Sequence, residues 1–137
     1  MVNWTLFGKS GNPSYEVTKA WLRNHGIPHD DKSVYQMTRE EIEKLASQVP
    51  GGAKSLVYPD GFSYAMMNPQ RAVDRVIVEE IQSGSLSEND ILARLQLSPH
   101  LMITPILTNG TQVIIGYQYE TMVSTFRFVQ VRDVYMA

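Results

Sequence analysis

The stretch NWTLFGKSGNPSY, residues 3–15, decides the fold. Aromatic and β-branched side chains at its start predict a short strand over residues 3–8. After a loop, Asn12 and Pro13 open an amphipathic helix that is expected to run to about His25. Asparagine is a preferred N-cap residue, and proline is over-represented at the first helical position. The stretch therefore predicts a strand, a short loop and a helix N-terminus in close succession.

The composition is that of an ordinary globular protein. Of the 137 residues, 43% are hydrophobic and 19% are charged, which favours one domain, residues 1–137, with a sizeable core. The 12 Lys and Arg against 14 Asp and Glu leave a net charge of −2, so we expect no direct nucleic-acid binding. The sequence has no run of about 18 apolar residues and no signal-peptide pattern, so we expect no membrane association and a cytoplasmic location.

The chain has no cysteine, which excludes disulfides, thiolate metal ligands and thiol catalysis. The other metal-binding residue types that occur close together are His25, His29, Asp30 and Asp31. They straddle the predicted end of a helix and the start of a strand, so the pattern does not bring them to one point. We therefore expect neither a metal site nor a cofactor.

Apolar spacing and capping residues predict the elements of the N-terminal half. The first helix is expected to bury Val17, Ala20, Trp21 and Leu22. A second strand is expected within residues 28–35. Residues 38–41 have the pattern of a capping box and start a second helix that ends at Pro50. Its inward residues are expected to be Ile42, Leu45, Ala46 and Val49.

The middle of the chain is predicted to be helical. Residues 53–69 show no clear pattern, but Tyr64, Met66 and Met67 are expected in the core. Residues 70–82 predict a helix whose inward side chains are Ala72, Val73, Val76, Ile77 and Ile81. Another helix is expected to start after Ser87 and to bury Ile91, Leu92 and Leu95.

Strand and turn signals return in the last third of the chain. Asn109 and Gly110 predict a type I′ turn between strands at residues 105–107 and 112–115. Residues 119–126 predict a helix that buries Met122, Val123 and Phe126, and residues 127–137 are expected to form a strand or a loose tail. The order of elements predicts an α/β chain with a thioredoxin-like fold. A helical insertion separates its βαβ half from its C-terminal β-hairpin-α half.

Three stretches carry a family resemblance. They are VTKAWLRNHGIP (residues 17–28), residues 38–52, and residues 91–116 with LSP at 97–99, TPILTNG at 104–110 and IGY at 115–117. Together they cover about two-thirds of the chain in the order typical of the arsenate reductase-like/Spx family, which the sequence resembles. The resemblance implies a thioredoxin-like fold.

The resemblance also implies two alternative activities. Arsenate reductases of this family use one cysteine at the start of the first helix and a set of arginines that hold the oxyanion. Spx-type regulators bind the C-terminal domain of the RNA polymerase α subunit and sense redox state through a Cys-x-x-Cys pair. Here Asn12 and Tyr15 stand at the two cysteine positions, Asp60 lies near a family arginine, and Thr104 precedes the proline where arginine is usual. These departures argue against the reductase activity.

The resemblance places a partner contact at the end of the second helix. The residues concerned are Lys44, Ser47, Gly51 and Gly52, and the expected partner is the RNA polymerase α C-terminal domain. Ser47 stands where Spx-type members carry a basic residue, which would weaken this contact. Two glycines after a helix also have a purely structural interpretation, because glycine adopts the left-handed conformation that often ends a helix.

A degenerate redox or anion site at the start of the first helix is the alternative. Its residues are Lys9, Ser10, Asn12, Tyr15, Thr104 and Pro105. Free amide groups at a helix N-terminus can bind an anion, which would make the chain a thiol-free small-anion binder or enzyme. The favoured interpretation of Asn12 is a helix cap, and a cis peptide bond is expected before Pro105.

We expect the protein to show no arsenate reductase or disulfide reductase activity, because no residue can form a thiolate or a mixed disulfide. The measurement is arsenate turnover with a thiol donor. A rate above that of the protein-free reaction would contradict the expectation.

Overall fold

The computed structural model describes the backbone of residues 3–136 and the side chains of residues 3–127. The chain divides into two compact units. One contains the described residues of Met1–Ser33 and Thr104–Ala137, and the other is Val34–Ile103. The assignment of all 137 residues to one domain stays a prediction.

Helices and strands alternate at both ends of the chain, and the elements between the two ends are all helical. In chain order they are β1 (Trp4–Gly8), α1 (Pro13–Asn24), β2 (His29–Ser33), α2 (Arg39–Gln48), α3 (Gly61–Met67), α4 (Arg75–Gln82), α5 (Glu88–Leu97), β3 (Ile106–Thr108), β4 (Val113–Ile115) and α6 (Tyr119–Met136). Short 3₁₀ helices occur at Val34–Gln36, Gly52–Leu56, Pro69–Asp74 and Pro99–Leu101. In the part of the chain described here, no helix has the length and apolar character needed to cross a membrane.

The first unit is built on a four-stranded sheet in the order β2-β1-β3-β4. Strand β1 pairs in parallel with β2 and antiparallel with β3, and β3 pairs antiparallel with β4. The chain thus forms a βαβ half and a ββα half, with Val34–Ile103 inserted between them. This topology confirms the predicted thioredoxin-like α/β fold with a helical insertion.

The core of the first unit forms between its helices and the sheet. The buried side chains in this cluster are Leu6, Tyr15, Trp21, Leu22, Ile27, Leu107, Ile114, Met122 and Phe126. The predicted inward face of α1 was wrong at Val17 and Ala20, which are exposed. The helix buries Tyr15 and Thr18 instead. Thr18 tolerates burial because its hydroxyl donates a hydrogen bond to the Ser14 carbonyl at 2.8 Å.

The β3–β4 turn differs from the predicted type I′ turn. Thr108 pairs with Val113, so four residues form the loop. A type I′ turn needs positive φ at both central residues, and no described residue other than glycine has positive φ. The Asn109 side chain stabilises the longer loop, because its Oδ1 accepts hydrogen bonds from the amides of Thr111 at 3.0 Å and Gln112 at 2.8 Å.

The C-terminal helix is longer than predicted. Helix α6 continues to Met136, so the strand or loose tail expected after residue 126 was wrong as far as that residue. Met122 and Phe126 are buried as predicted, but Val123 is exposed.

In the second unit, the predicted capping box is confirmed. Thr38 Oγ1 accepts the Glu41 amide at 3.1 Å, and the Glu41 carboxylate accepts the Thr38 amide at 3.0 Å. Helix α2 buries Ile42, Leu45 and Ala46, with Val49 half-buried. Helix α5 buries the three predicted residues, Ile91, Leu92 and Leu95.

The helix predicted over residues 70–82 is broken. A 3₁₀ helix, Pro69–Asp74, precedes α4, and Arg71 has non-helical angles (φ −126°, ψ 29°). This kink rotates the following residues, so that Val73 and Val76 are 77% and 65% exposed while Val78 and Ile81 are buried. Met66 and Met67 were also wrongly placed in the core, since both are exposed.

Tyr64 on α3 is a buried residue with an unsatisfied polar group. Its side chain is fully buried, and its hydroxyl has no hydrogen-bond partner among the described residues. Burial, followed by the negative charge of Asp74, raises the pKa of Tyr64 to about 12. A buried hydroxyl without a partner costs about 1–3 kcal/mol of stability.

We expect Tyr64→Phe to raise the free energy of unfolding by about 1 kcal/mol, because it removes the unpaired hydroxyl and keeps the ring. Tyr58→Phe is the matched control, since the Tyr58 side chain is only half-buried and should be nearly neutral. Urea denaturation measures both. A Tyr64→Phe variant less stable than the parent would show that the hydroxyl is satisfied in solution.

The same substitution should change the pH dependence of stability. Between pH 10.0, the ordinary Tyr pKa, and about 12, folded Tyr64 keeps a proton that the unfolded chain has lost. The free energy of unfolding therefore falls as the pH rises through this range, and Tyr64 adds no pH dependence below it. We expect the difference in unfolding free energy between Tyr64→Phe and the parent to grow over this window.

Candidate functional site

The N-terminus of α1 is capped by the chain itself. Asn12 Oδ1 accepts the Tyr15 amide at 2.9 Å, which confirms the predicted cap. Pro13 has no amide hydrogen, and the Glu16 amide donates to the Asn12 carbonyl at 3.0 Å. Few donors of the first helical turn therefore remain for a ligand.

Tyr15 fills the space next to the end of β1. Its ring lies against the backbone of Gly8 so closely that a Cβ on residue 8 would collide with it. Tyr15 is buried, and Lys19 Nζ lies 5.5 Å from the centre of its ring. A bulky aromatic side chain thus packs where the resemblance places the second cysteine. Neither the tightness of this contact nor its need for Gly8 was predicted from the sequence.

Two of the other predicted residues of this site are buried within the fold. Thr104 and Pro105 are buried, and the peptide bond between them is cis, as predicted. Continuing the β1–β3 register by one residue places Pro105 opposite Gly8, at the same end of the sheet as Tyr15. Ser10 is exposed in the loop before the cap.

A carboxylate of the chain itself already lies at this helix start. Glu16 lies in the first turn, and its carboxylate accepts the Gly11 amide at 3.5 Å. A carboxylate here already interacts with the positive end of the helix dipole. The arrangement gives little support to the anion-binding alternative.

Three of the four residues that could suggest a metal site have other contacts. His25 Nδ1 lies 2.8 Å from the Trp21 carbonyl, and His29 Nδ1 lies 3.0 Å from the Ile27 carbonyl. Asp31 lies near His29 and Lys19. Across the described residues, no group of three His, Cys, Asp or Glu side chains is placed to hold a metal ion.

The second candidate site lies where α2 ends. We call this surface, formed by Lys44, Ser47, Gly51 and Gly52, the α2 corner. Lys44, Ser47 and Gly51 are exposed, and Gly52 is half-buried. The Ser47 hydroxyl donates a hydrogen bond to the Lys44 carbonyl at 2.6 Å, so its side chain lies along the helix. The corner therefore presents a cation, a short polar side chain and bare backbone.

Both glycines of the α2 corner have left-handed backbones. Gly51 has φ 88° and Gly52 has φ 75°, which L side chains rarely adopt. A Cβ on Gly52 would also lie 2.8 Å and 2.9 Å from the two carboxylate oxygens of Glu88. The expected left-handed conformation is present, but the glycines do not cap α2, which ends at an extended Val49; they start the 3₁₀ helix Gly52–Leu56. The partner contact remains a prediction.

Glu88 is a residue of this site that sequence reasoning missed. Its Oε2 accepts the amide of Ala53 at 2.9 Å across 35 residues of sequence. The sequence marks residues 87–90 only as a helix start, and such a local signal says nothing about so distant a contact.

Comparisons with known proteins agree with this geometry. No family model matches the sequence. The chain is 24% identical over 115 residues to the global transcriptional regulator Spx of Staphylococcus haemolyticus, covering 82% of this chain and 79% of that protein. The Spx of Staphylococcus aureus strain Mu50 matches with the same identity and coverage. The chain is thus similar in sequence to Spx regulators. An arsenate reductase from Vibrio cholerae has the same fold, with a TM-score of 0.66 and 17% identity, over 90% of this chain and 97% of that one.

The family resemblance gives the helix start its significance. The arsenate reductase-like/Spx family is the one in which the resemblance places cysteines at this point, and the present chain has Asn12 and Tyr15 there. Asn12 caps the helix and Tyr15 packs on Gly8, so both residues have structural roles.

We expect Asn12→Ala to lower the free energy of unfolding by about 0.5–2 kcal/mol through loss of the cap. Asn12→Asp, which keeps an acceptor at the same place, should retain most of the stability. Thermal and urea denaturation measure both variants. A variant as stable as the parent that loses partner binding would show that Asn12 is a functional group.

Proposed function

We propose that this chain is a non-enzymatic, Spx-like regulatory protein that binds the C-terminal domain of the RNA polymerase α subunit in the cytoplasm. The observation that carries the proposal is its similarity to Spx regulators over 82% of its length. The chain has no cysteine, so it acts without a thiol redox switch.

The packing at the start of α1 supports a binding role over catalysis. The Tyr15 ring lies on Gly8, and the Asn12 side chain occupies the Tyr15 amide. A reductase needs a nucleophile and an oxyanion pocket at such a point. Here the space is filled by side chains that stabilise the fold.

The α2 corner is the surface that we propose for the polymerase contact. Lys44 and Ser47 lie one helical turn apart and are exposed, and Gly51 exposes backbone beside them. Among the described residues, none forms an ion pair with Lys44, so its charge is available to a partner. Ser47 supplies no charge, which predicts a weak contact.

The geometry of Gly52 determines which variants can test the corner. A large residue at position 52 would meet the Glu88 carboxylate and would need a left-handed backbone. Gly52→Arg would therefore disturb the fold as well as any interface. Substitutions of the exposed residues Lys44 and Ser47 leave the backbone in place and are the better test.

We expect the α C-terminal domain from the same organism to bind the parent chain with a micromolar dissociation constant in isothermal titration calorimetry. Ser47→Arg should strengthen binding by up to about fivefold, since one exposed ion pair contributes about 0.2–1 kcal/mol. Lys44→Glu should weaken it. Gln96→Arg, which adds the same charge at an exposed position of α5, is the matched control and should leave affinity unchanged.

Two results would contradict this proposal. The absence of heat at about 100 μM of both proteins would exclude the polymerase contact, because transient regulatory contacts are micromolar. Equal gains from Ser47→Arg and Gln96→Arg would show that added charge acts non-specifically and that the α2 corner is not the interface.

A further inference from the structure

We propose that Glu88 is a positioning residue that shapes the α2 corner through the backbone of Gly52 and Ala53. The inference rests on the proposed function where it concerns the partner, because it names a residue that this binding surface needs. Its physical part, that Glu88 holds the backbone of the corner, can be measured without any partner.

The first observation is the contact itself. Glu88 Oε2 accepts the Ala53 amide at 2.9 Å. The same carboxylate lies against Gly52, with its oxygens 2.8 Å and 2.9 Å from the place of a Cβ. The side chain therefore occupies the space that the absence of a side chain at residue 52 leaves open. A charge-assisted hydrogen bond to a backbone amide is stronger than a neutral one.

A second side chain holds the other end of the same segment. Gln82 Nε2 donates to the carbonyls of Lys54 at 3.0 Å and Tyr58 at 2.9 Å. The 3₁₀ helix Gly52–Leu56 thus donates a hydrogen bond to Glu88 of α5 near its start. It accepts one at the Lys54 carbonyl from Gln82, the last residue of α4. Short 3₁₀ helices are weakly stable alone, so these distant contacts set the conformation of the segment.

The position of Glu88 also has a simpler structural explanation. Glu88 is the first residue of α5, where a negative charge interacts favourably with the helix dipole. Asp90 lies in the same first turn and has the same charge, but its side chain forms no hydrogen bond with the described residues 51–53. Asp90→Ala therefore removes the helix-dipole interaction alone, and it is the matched control for Glu88→Ala.

The test compares three variants of the full chain, Glu88→Ala, Glu88→Gln and Asp90→Ala. The first measurement is hydrogen exchange of the Ala53 amide by NMR, and the second is affinity for the α C-terminal domain. We expect Glu88→Ala to speed Ala53 exchange by about tenfold and to weaken binding by a similar factor, as loss of one hydrogen bond to a charged acceptor allows.

The conservative variant separates positioning from charge. Glu88→Gln keeps a carbonyl oxygen that can accept the Ala53 amide, so it should restore both readouts to within about threefold of the parent. Asp90→Ala should lower the melting temperature less than Glu88→Ala, because it loses only the helix-dipole interaction, and it should leave Ala53 exchange and binding unchanged.

Each other outcome overturns a defined part of the inference. Unchanged Ala53 exchange in Glu88→Ala would overturn the positioning role, whatever the partner does. Faster exchange with undiminished binding would overturn the link between this backbone and the interface. If the parent chain does not bind the α domain, the proposed function and the partner link both fail, and the exchange data still decide the positioning role.

Discussion

The pairing of β1 on both of its edges is the constraint on which the first unit depends. Strand β2 lies on one side and β3 on the other, so the chain leaves the sheet after β2 and returns to it at β3. The strand buries Leu6 and Phe7 and ends at Gly8, where the Tyr15 ring contacts its backbone. This contact fixes how α1 starts, and it requires glycine at residue 8.

The same contact separates this chain from the chemistry that its family resemblance implies. A helix N-terminus beside a strand end can activate a thiol or hold an anion, since its amides and dipole favour negative charge. Here Asn12 caps the helix, and the Tyr15 ring is buried. The fold is retained, and the surface that we propose for binding lies at the end of α2.

The features that could be predicted from the sequence are those formed by residues close together along the chain. The Asn12 cap and the Thr38–Glu41 capping box are local hydrogen bonds within four residues, and both are confirmed. The predicted inward face of residues 70–82 is confirmed at Ile81 but was wrong at Val73 and Val76. The helix is kinked at Arg71, and an apolar pattern alone does not reveal this kink. The contact of Glu88 with Gly52 and Ala53 joins residues far apart in sequence, so only the fold shows it.

The central claim is that the binding surface is the α2 corner and not the start of α1. The most direct measurement is an NMR titration of the isotope-labelled chain with the unlabelled α C-terminal domain. The account predicts that shift changes concentrate at residues 44–54 and at Glu88, while Ser10, Tyr15 and Thr104 stay unperturbed. Changes confined to the residues around Tyr15 and Thr104, or no changes at all, would contradict it.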